Sequence, residues 1–361
     1  MTVRPARRIR WRAAVRGLRL LGVYVARFEV PVLVAAVRGR ARSAPDCGRL
    51  LARLSHRLFT DGFRRAGLVL DTSDGLPLPA AGRPVVAFLR HAGPLNFHLA
   101  ALVACHVLER DLLSVGRSLP GRDPAVGILV RPLKVELIRW DRDGPVRAMR
   151  MLIVHSRDLA PREVLAYFPE GVSTTAAARR RVLADLDRTD PARARWARRL
   201  RYVLPPVRAG AARVLAQAKD ADVLVVAHTG LEDLLGGTVD LGYPPRADPD
   251  DHRVHLAWWH TRAEDVPREP AAAADWLDAQ WASTEEWIAR KRGVPAEGGG
   301  GRTEGSSDRT GRTPDRTGPT PGRTGDAPGP YGGPRTDPAA DAASLVPVPL
   351  EPPHPGGSPQ P

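Results

Sequence analysis

The sequence predicts an α/β fold: a central mixed sheet flanked by helices, with an N-terminal amphipathic helix and a disordered C-terminal tail. Three observations carry this expectation. Short apolar runs bounded by turn residues recur up to about residue 290, as buried strands do. Segments with apolar residues at helical spacing separate them, the alternation that builds a sheet with helical crossovers. Beyond Val294 large apolar residues almost vanish. The expected domains are a basic, apolar helical segment at 1–45, an α/β domain at 46–293 and a tail at 294–361.

Six arginines (Arg4, Arg7, Arg8, Arg10, Arg12 and Arg16) precede the apolar stretch Leu18 to Val37, which Arg19, Arg27, Glu29 and Pro31 interrupt. A spanning helix needs about 20 mostly uncharged apolar residues. The pattern therefore predicts an interfacial amphipathic anchor, with an ordinary core-packing helix as the alternative. A small-residue cleavage site does not follow, so a secretory leader is not expected.

From Cys47 to Ala66, the spacing of Leu50, Leu51, Leu54, Leu58 and Phe63 predicts a helix. Val85 to Leu89 reads as a buried strand. Asn96 to about Leu113 reads as a helix, with Asn96 or Pro94 near its start. Ala125 to Val130 and Val135 to Ile138 read as short strands, Pro145 to Ser156 as a helix, and Val164 to Phe168 as a strand. A helix over Thr174 to Leu186 is capped by Ser173 or Thr174. Gly210 to Lys219 is helical, and Asp222 to Ala227 is the clearest parallel strand. His252 to His260 reads as an edge strand, and Ala272 to Arg292 as a closing helix with Trp276, Trp281 and Trp287.

The tail cannot bury enough apolar surface to offset its ordering entropy. Its Gly-Arg-Thr copies at 301, 311 and 322 are too short and irregular for a repeat fold. It holds six arginines against eight acidic residues, so the rest of the chain carries the net charge of +14. Of the 54 basic residues only Lys134, Lys219 and Lys291 are lysines. No nucleic-acid motif or basic–aromatic platform stands out, so nucleic acid is not an expected partner. An anionic membrane surface and a phosphorylated substrate account for the charge. Cys47 and Cys105 show no metal-ligand spacing and no disulfide framework, and no metal or bound cofactor is expected. Cysteine usage is that of a cytosolic chain.

Two loops follow apolar runs: Arg90-His91-Ala92-Gly93-Pro94-Leu95-Asn96 and Phe168-Pro169-Glu170-Gly171. A histidine and a carboxylate on loops at strand ends suit acyl transfer, which needs a base at the attacking hydroxyl and a positive setting for the oxyanion. With Arg179-Arg180-Arg181, Val203-Leu204-Pro205-Pro206 and Val226-Ala227-His228-Thr229-Gly230-Leu231, these segments resemble, over roughly residues 50–290, the lysophosphatidate (1-acyl-sn-glycerol-3-phosphate) acyltransferase family of glycerolipid acyltransferases. That family's first block is His-x-x-x-x-Asp and its third is Phe-Pro-Glu-Gly.

The resemblance implies a glycerolipid acyltransferase-like fold and a reaction taking an acyl group from acyl-CoA or acyl carrier protein to a lysophospholipid at the cytoplasmic face of a membrane. His91 would deprotonate the acceptor hydroxyl. Glu170, Gly171 and an arginine, either Arg139 or Arg131 with Arg139 preferred by context, would hold the glycerol phosphate. The segment at Pro205 would shape the acyl or acceptor site, and Arg179 to Arg181 would reach phosphate or form a solvated face. His228 reads as structural. Asn96 stands where the family has Asp. Three readings follow: a slow acyltransferase, a site rescued by Asp111 or Asp123, or a catalytically impaired lipid-binding protein of the same fold.

Overall fold

The computed structural model describes residues 15, 17–75, 77–80, 82–93, 95–117, 123–139, 141, 143–235, 241–242, 246 and 251–293. The chain divides into Met1–Ala296 and Glu297–Pro361. The second unit, and with it the expectation of a disordered tail, lies outside the described residues.

Seven strands form one sheet: β1 (Val69–Asp71), β2 (Val85–Leu89), β3 (Asp111–Arg117), β4 (Val135–Ile138), β5 (Glu163–Tyr167), β6 (Asp222–Thr229) and β7 (Arg253–Thr261). Their order is β1-β7-β6-β2-β5-β3-β4. Strands β6, β2, β5, β3 and β4 run parallel. Strand β7 is antiparallel to β6, and β1 is parallel to β7, so the sheet is mixed. Every residue of β2, β5 and β6 is buried, as expected for a parallel sheet covered on both faces.

Alternate residues feed two cores. Val85, Ala87 and Leu89 face one layer, made of α1 (Gly17–Val37), α2 (Ala44–Arg57), α3 (Asn96–Ala101) and α4 (Pro124–Val130). Val86 and Phe88 face the other, made chiefly of α5 (Gly144–Arg157), α8 (Arg208–Gln217) and α9 (Pro270–Lys291). Between β5 and α8 the chain makes a helical hairpin, α6 (Ala176–Thr189) and α7 (Pro191–Ala197).

Several elements differ from the sequence reading. The helix at Asn96 runs through a π-helical turn only to Val107, and Leu112 and Leu113 belong to β3. The largely apolar run 99–108 is followed after a short charged break, Glu109-Arg110-Asp111, by Leu112 and Leu113, and the chain turns at Glu109 with its positive φ of 52°. Ala125 to Val130 is helix, not strand. Asp123 caps it by accepting from Val126 N–H at 2.8 Å, and Pro124 occupies its first turn. Strand β7 lies inside the sheet rather than at its edge, because the three-residue β1 pairs beyond it. The cap of α6 is Thr175.

Helix α1 is unbroken and, by length and composition alone, sufficient to cross a membrane. Two of the four interruptions seen in the sequence, Glu29 and Pro31, are absorbed locally. A π-helical turn over Val25–Glu29 directly precedes Pro31, which lacks the N–H an α-turn would use. Glu29 turns inward and accepts from Ala125 N–H at 3.3 Å. Leu20, Phe28 and Val32 pack into the core, whereas Leu18, Leu21, Val25, Val30, Leu33, Val34 and Val37 are exposed.

Candidate active site

The β2 loop and the β5 loop leave adjacent strands at the same sheet end, and Glu170 sews them together. One carboxylate oxygen accepts from His91 N–H at 3.1 Å. The other accepts from Thr174 Oγ1 at 2.8 Å and from Leu204 N–H at 3.2 Å. Thr174 N–H in turn donates to the His91 carbonyl at 2.8 Å. Burial raises the Glu170 pKa, opposed by Arg90 and these donors. The geometry therefore makes Glu170 a loop clamp, with its oxygens turned to protein donors. Exposed Gly171 (φ 72°) carries the chain out of this turn.

His91 is half-buried against Phe168, ring centroids 4.9 Å apart. Burial lowers its pKa to about 4, a hydrogen bond to the Val172 backbone opposing, so the imidazole is neutral at physiological pH. Its Nδ1 is buried with no hydrogen-bond partner among the described residues. Asn96 begins α3 on the same loop. Its amide donates to the Gly93 carbonyl at 2.9 Å, and its Oδ1 is also buried and without a partner among the described residues. The loop thus holds an imidazole nitrogen and an amide oxygen whose hydrogen-bonding capacity is unmet, the complementary atoms of a His–Asn pair.

Two backbone features shape this loop. Leu95, just before α3, is left-handed at φ 69°, an uncommon state for a non-glycine residue. Gly93 has φ 78°, and a Cβ there would lie 2.5 Å from Glu232 N and 2.6 Å from the Leu231 carbonyl carbon. Both neighbours are backbone and cannot yield. Gly93→Ala is expected to destabilise the protein by about 2–4 kcal/mol, read from a urea unfolding midpoint. Pro94 lies outside the described residues.

Beneath His91 lies a buried charge cluster that the sequence reading missed. Arg90 is fully buried and donates to the carbonyls of His228 (2.6 Å) and Tyr202 (2.8 Å) and to Glu232 (2.9 Å). Arg292, at the end of α9, also reaches Glu232 and Asp233. Arg90 and Arg292 hold the Glu232 carboxyl well below its usual range against the cost of burial. His228 is structural: fully buried, its Nε2 lies 3.2 Å from the Arg90 carbonyl, and burial lowers its pKa to about 3. The available signal was a charged residue directly continuing an apolar strand, since such a group is buried only with partners.

The segment containing Pro205 and Pro206 is buried. Glu285 of α9 accepts from the N–H groups of Arg201, Tyr202 and Val203 at 2.6–3.0 Å. Arg179 donates to the carbonyls of Leu200, Arg201 and Val203. That corrects the phosphate expectation for Arg179, whose guanidinium is engaged by backbone; Arg180 and Arg181 are exposed. A cleft of about 460 Å³ lies near Trp196 and Asp278, but opposite charges fill it, Asp278 pairing with Arg193 and Arg208. Arg193 also donates to the Pro206 carbonyl at 2.5 Å, so this network braces the proline segment.

Arg139 and Arg131 are exposed, with no side-chain partner among the described residues. Arg139 follows β4, three strands from β2, hence about 14 Å along the sheet at the usual strand spacing. It shares the sheet end with His91 but does not touch it. Neither rescuing carboxylate meets His91. Asp111 starts β3 at the opposite end of the sheet, opposite Glu163. Asp123 receives Tyr24 OH at 2.5 Å and lies 3.9 Å from His98.

No protein-family model and no curated protein matches the chain. Among solved structures, the crystal structure of the 1-acyl-sn-glycerophosphate (LPA) acyltransferase PlsC from Thermotoga maritima is similar, at 14% identity and a TM-score of 0.49, covering 77% of this chain and 95% of that one. The chemistry has to be read from the side chains themselves.

Proposed function

We propose that this protein is an acyltransferase moving a fatty acyl group from acyl-CoA or acyl carrier protein to the free hydroxyl of a lysophospholipid such as 1-acyl-sn-glycerol-3-phosphate, giving phosphatidate. The observation that carries this reading is the neutral, half-buried His91 imidazole, fixed at the sheet end by backbone bonds to the Glu170 loop. The imidazole takes the acceptor's hydroxyl proton as the oxygen attacks the thioester carbonyl. Collapse of the tetrahedral adduct breaks the carbon–sulfur bond, and the departing thiolate regains that proton. Arg139, with Arg131 as the alternative, meets the acceptor's phosphate, and the Pro205 segment shapes the slot. The exposed apolar residues of α1 seat the protein on an anionic membrane surface at the cytoplasmic face, peripherally or monotopically.

Asn96 sets the rate. An amide can accept from the ring but cannot offset imidazolium charge as a carboxylate does. Asn96→Asp is expected to raise kcat about tenfold or more. It also loses the bond to the Gly93 carbonyl, and stability falls by about 1 kcal/mol. Transfer of a labelled hexadecanoyl group from coenzyme A to lysophosphatidate tests the reading. Turnover in the parent, faster in Asn96→Asp, supports it. No turnover in either, with several donors and acceptors tried and lipid binding intact, leaves the impaired lipid-binding protein.

The lowered His91 pKa gives a pH signature. Protonation inactivates the base, so kcat/KM should fall as pH drops through about 4 and stay level from pH 5.5 to 8. An unperturbed histidine would place the inflection near 6.5. An inflection between 6 and 7 in the measured pH–rate profile would contradict a desolvated His91.

A further inference from the structure

We propose that the α6–α7 hairpin is a protein-docking surface whose occupant is an acidic carrier protein bearing the acyl thioester. This rests on the acyltransferase reading above and names the donor for the same site. Residues 176–201 hold nine arginines against three aspartates. Arg179 and Arg193 are turned inward onto backbone carbonyls. Arg188 and Arg198 pair with Asp185 and Asp187. Arg201 is half-buried, and the remaining four, Arg180, Arg181, Arg195 and Arg199, are exposed with no side-chain partner among the described residues. They are spread over α6, α7 and the turn after α7, α6 alone being about 21 Å long. The footprint is that of a charged protein face rather than of one phosphate group.

Two further observations select the occupant. First, the hairpin is fastened to the catalytic loop at both ends. Thr174, just before α6, bonds both Glu170 and the His91 carbonyl, and Leu204, after α7, donates to Glu170. A carrier seated there delivers its thioester beside His91. Second, the hairpin packs through Trp196 and Leu200 against the core on the α8–α9 side of the sheet. The exposed apolar residues of α1 belong to the opposite layer. With α1 on a lipid surface, the hairpin faces away from it, toward soluble partners. Complementary charge of this kind acts mainly on association rate and is screened by salt.

The test uses the full chain and the variant Arg180→Glu/Arg181→Glu/Arg195→Glu/Arg199→Glu, with the corresponding four Arg→Gln changes as a milder companion. Binding of a purified, small acidic acyl carrier protein, fluorescently labelled and charged with hexadecanoyl, is followed by anisotropy, which does not depend on turnover. The parent should bind, more weakly as salt rises, and the Glu variant at least tenfold more weakly. In the transfer assay KM for hexadecanoyl carrier should rise about tenfold or more, while KM for hexadecanoyl-CoA and co-sedimentation with phosphatidylglycerol vesicles stay unchanged. Equal carrier binding by parent and both variants would overturn the proposal, as would loss of vesicle binding instead, which would make the patch a lipid contact. A parallel rise in KM for hexadecanoyl-CoA would overturn it too, by assigning the patch to the nucleotide phosphates. If the parent turns over neither donor yet still binds the carrier through these arginines, the acyltransferase reading fails and the docking surface stands.

Discussion

Arg90→Met is expected to destabilise the protein by about 3–5 kcal/mol, the cost of leaving a buried carboxylate without its main partner. The side chain is fully buried, and its guanidinium holds Glu232 and the carbonyls of His228 and Tyr202. Methionine fills much of the volume but offers no donor. Arg292 still reaches Glu232 at 3.3 Å, so the loss should sit toward the lower end of that range. Urea unfolding of parent and variant reads it directly. A change below about 1 kcal/mol would mean the cluster is solvated rather than buried.

His91→Ala should lower kcat/KM for acyl transfer by about 10²–10⁴-fold, the usual contribution of a positioned general base. The fold should survive. The loop is held by His91 N–H and C=O, which alanine retains, while the ring itself packs on Phe168 and bonds the Val172 backbone. A stability change within about 1 kcal/mol is therefore expected. Glu170→Ala is the contrast: it removes the acceptor for three donors at once and should lose stability and activity together.

The parts of the fold legible in the sequence are those where one physical signal dominates. Strands β2, β5 and β6 are continuous apolar runs between turn residues, and each is buried along its whole length. Helix α2 shows helical spacing and a serine cap. Where two signals compete, the reading failed. Ala125 to Val130 looks like strand until Asp123 and Pro124 are weighed as a helix start. Strand β3 is hidden because Leu112 and Leu113 resume the apolar character of the preceding helix after only a short charged break at Glu109-Arg110-Asp111. The position of β7 depends on β1, a three-residue strand too short to show a pattern.

For the site, the sequence set His91, Asn96 and Glu170 on loops after apolar strands, and the structure brings the His91 and Glu170 loops together because β2 and β5 are neighbouring parallel strands. It could not assign the roles of charged groups. Glu170 was read as holding the acceptor and Arg179 as reaching phosphate or forming a solvated face. In the structure Glu170 accepts from two backbone N–H groups and Thr174 Oγ1, and Arg179 donates to backbone carbonyls, because irregular segments at 168–175 and 200–207 have N–H and carbonyl groups that need partners. Such pairing depends on which loops meet, and spacing along the chain does not encode it.

The most direct test of the central claim compares parent and His91→Ala in acyl transfer from hexadecanoyl-CoA to lysophosphatidate, with matched unfolding curves. Measurable turnover in the parent and a loss of at least about 100-fold in a folded His91→Ala protein is the result predicted here. Equal rates in the two proteins would contradict it and remove His91 from the chemistry.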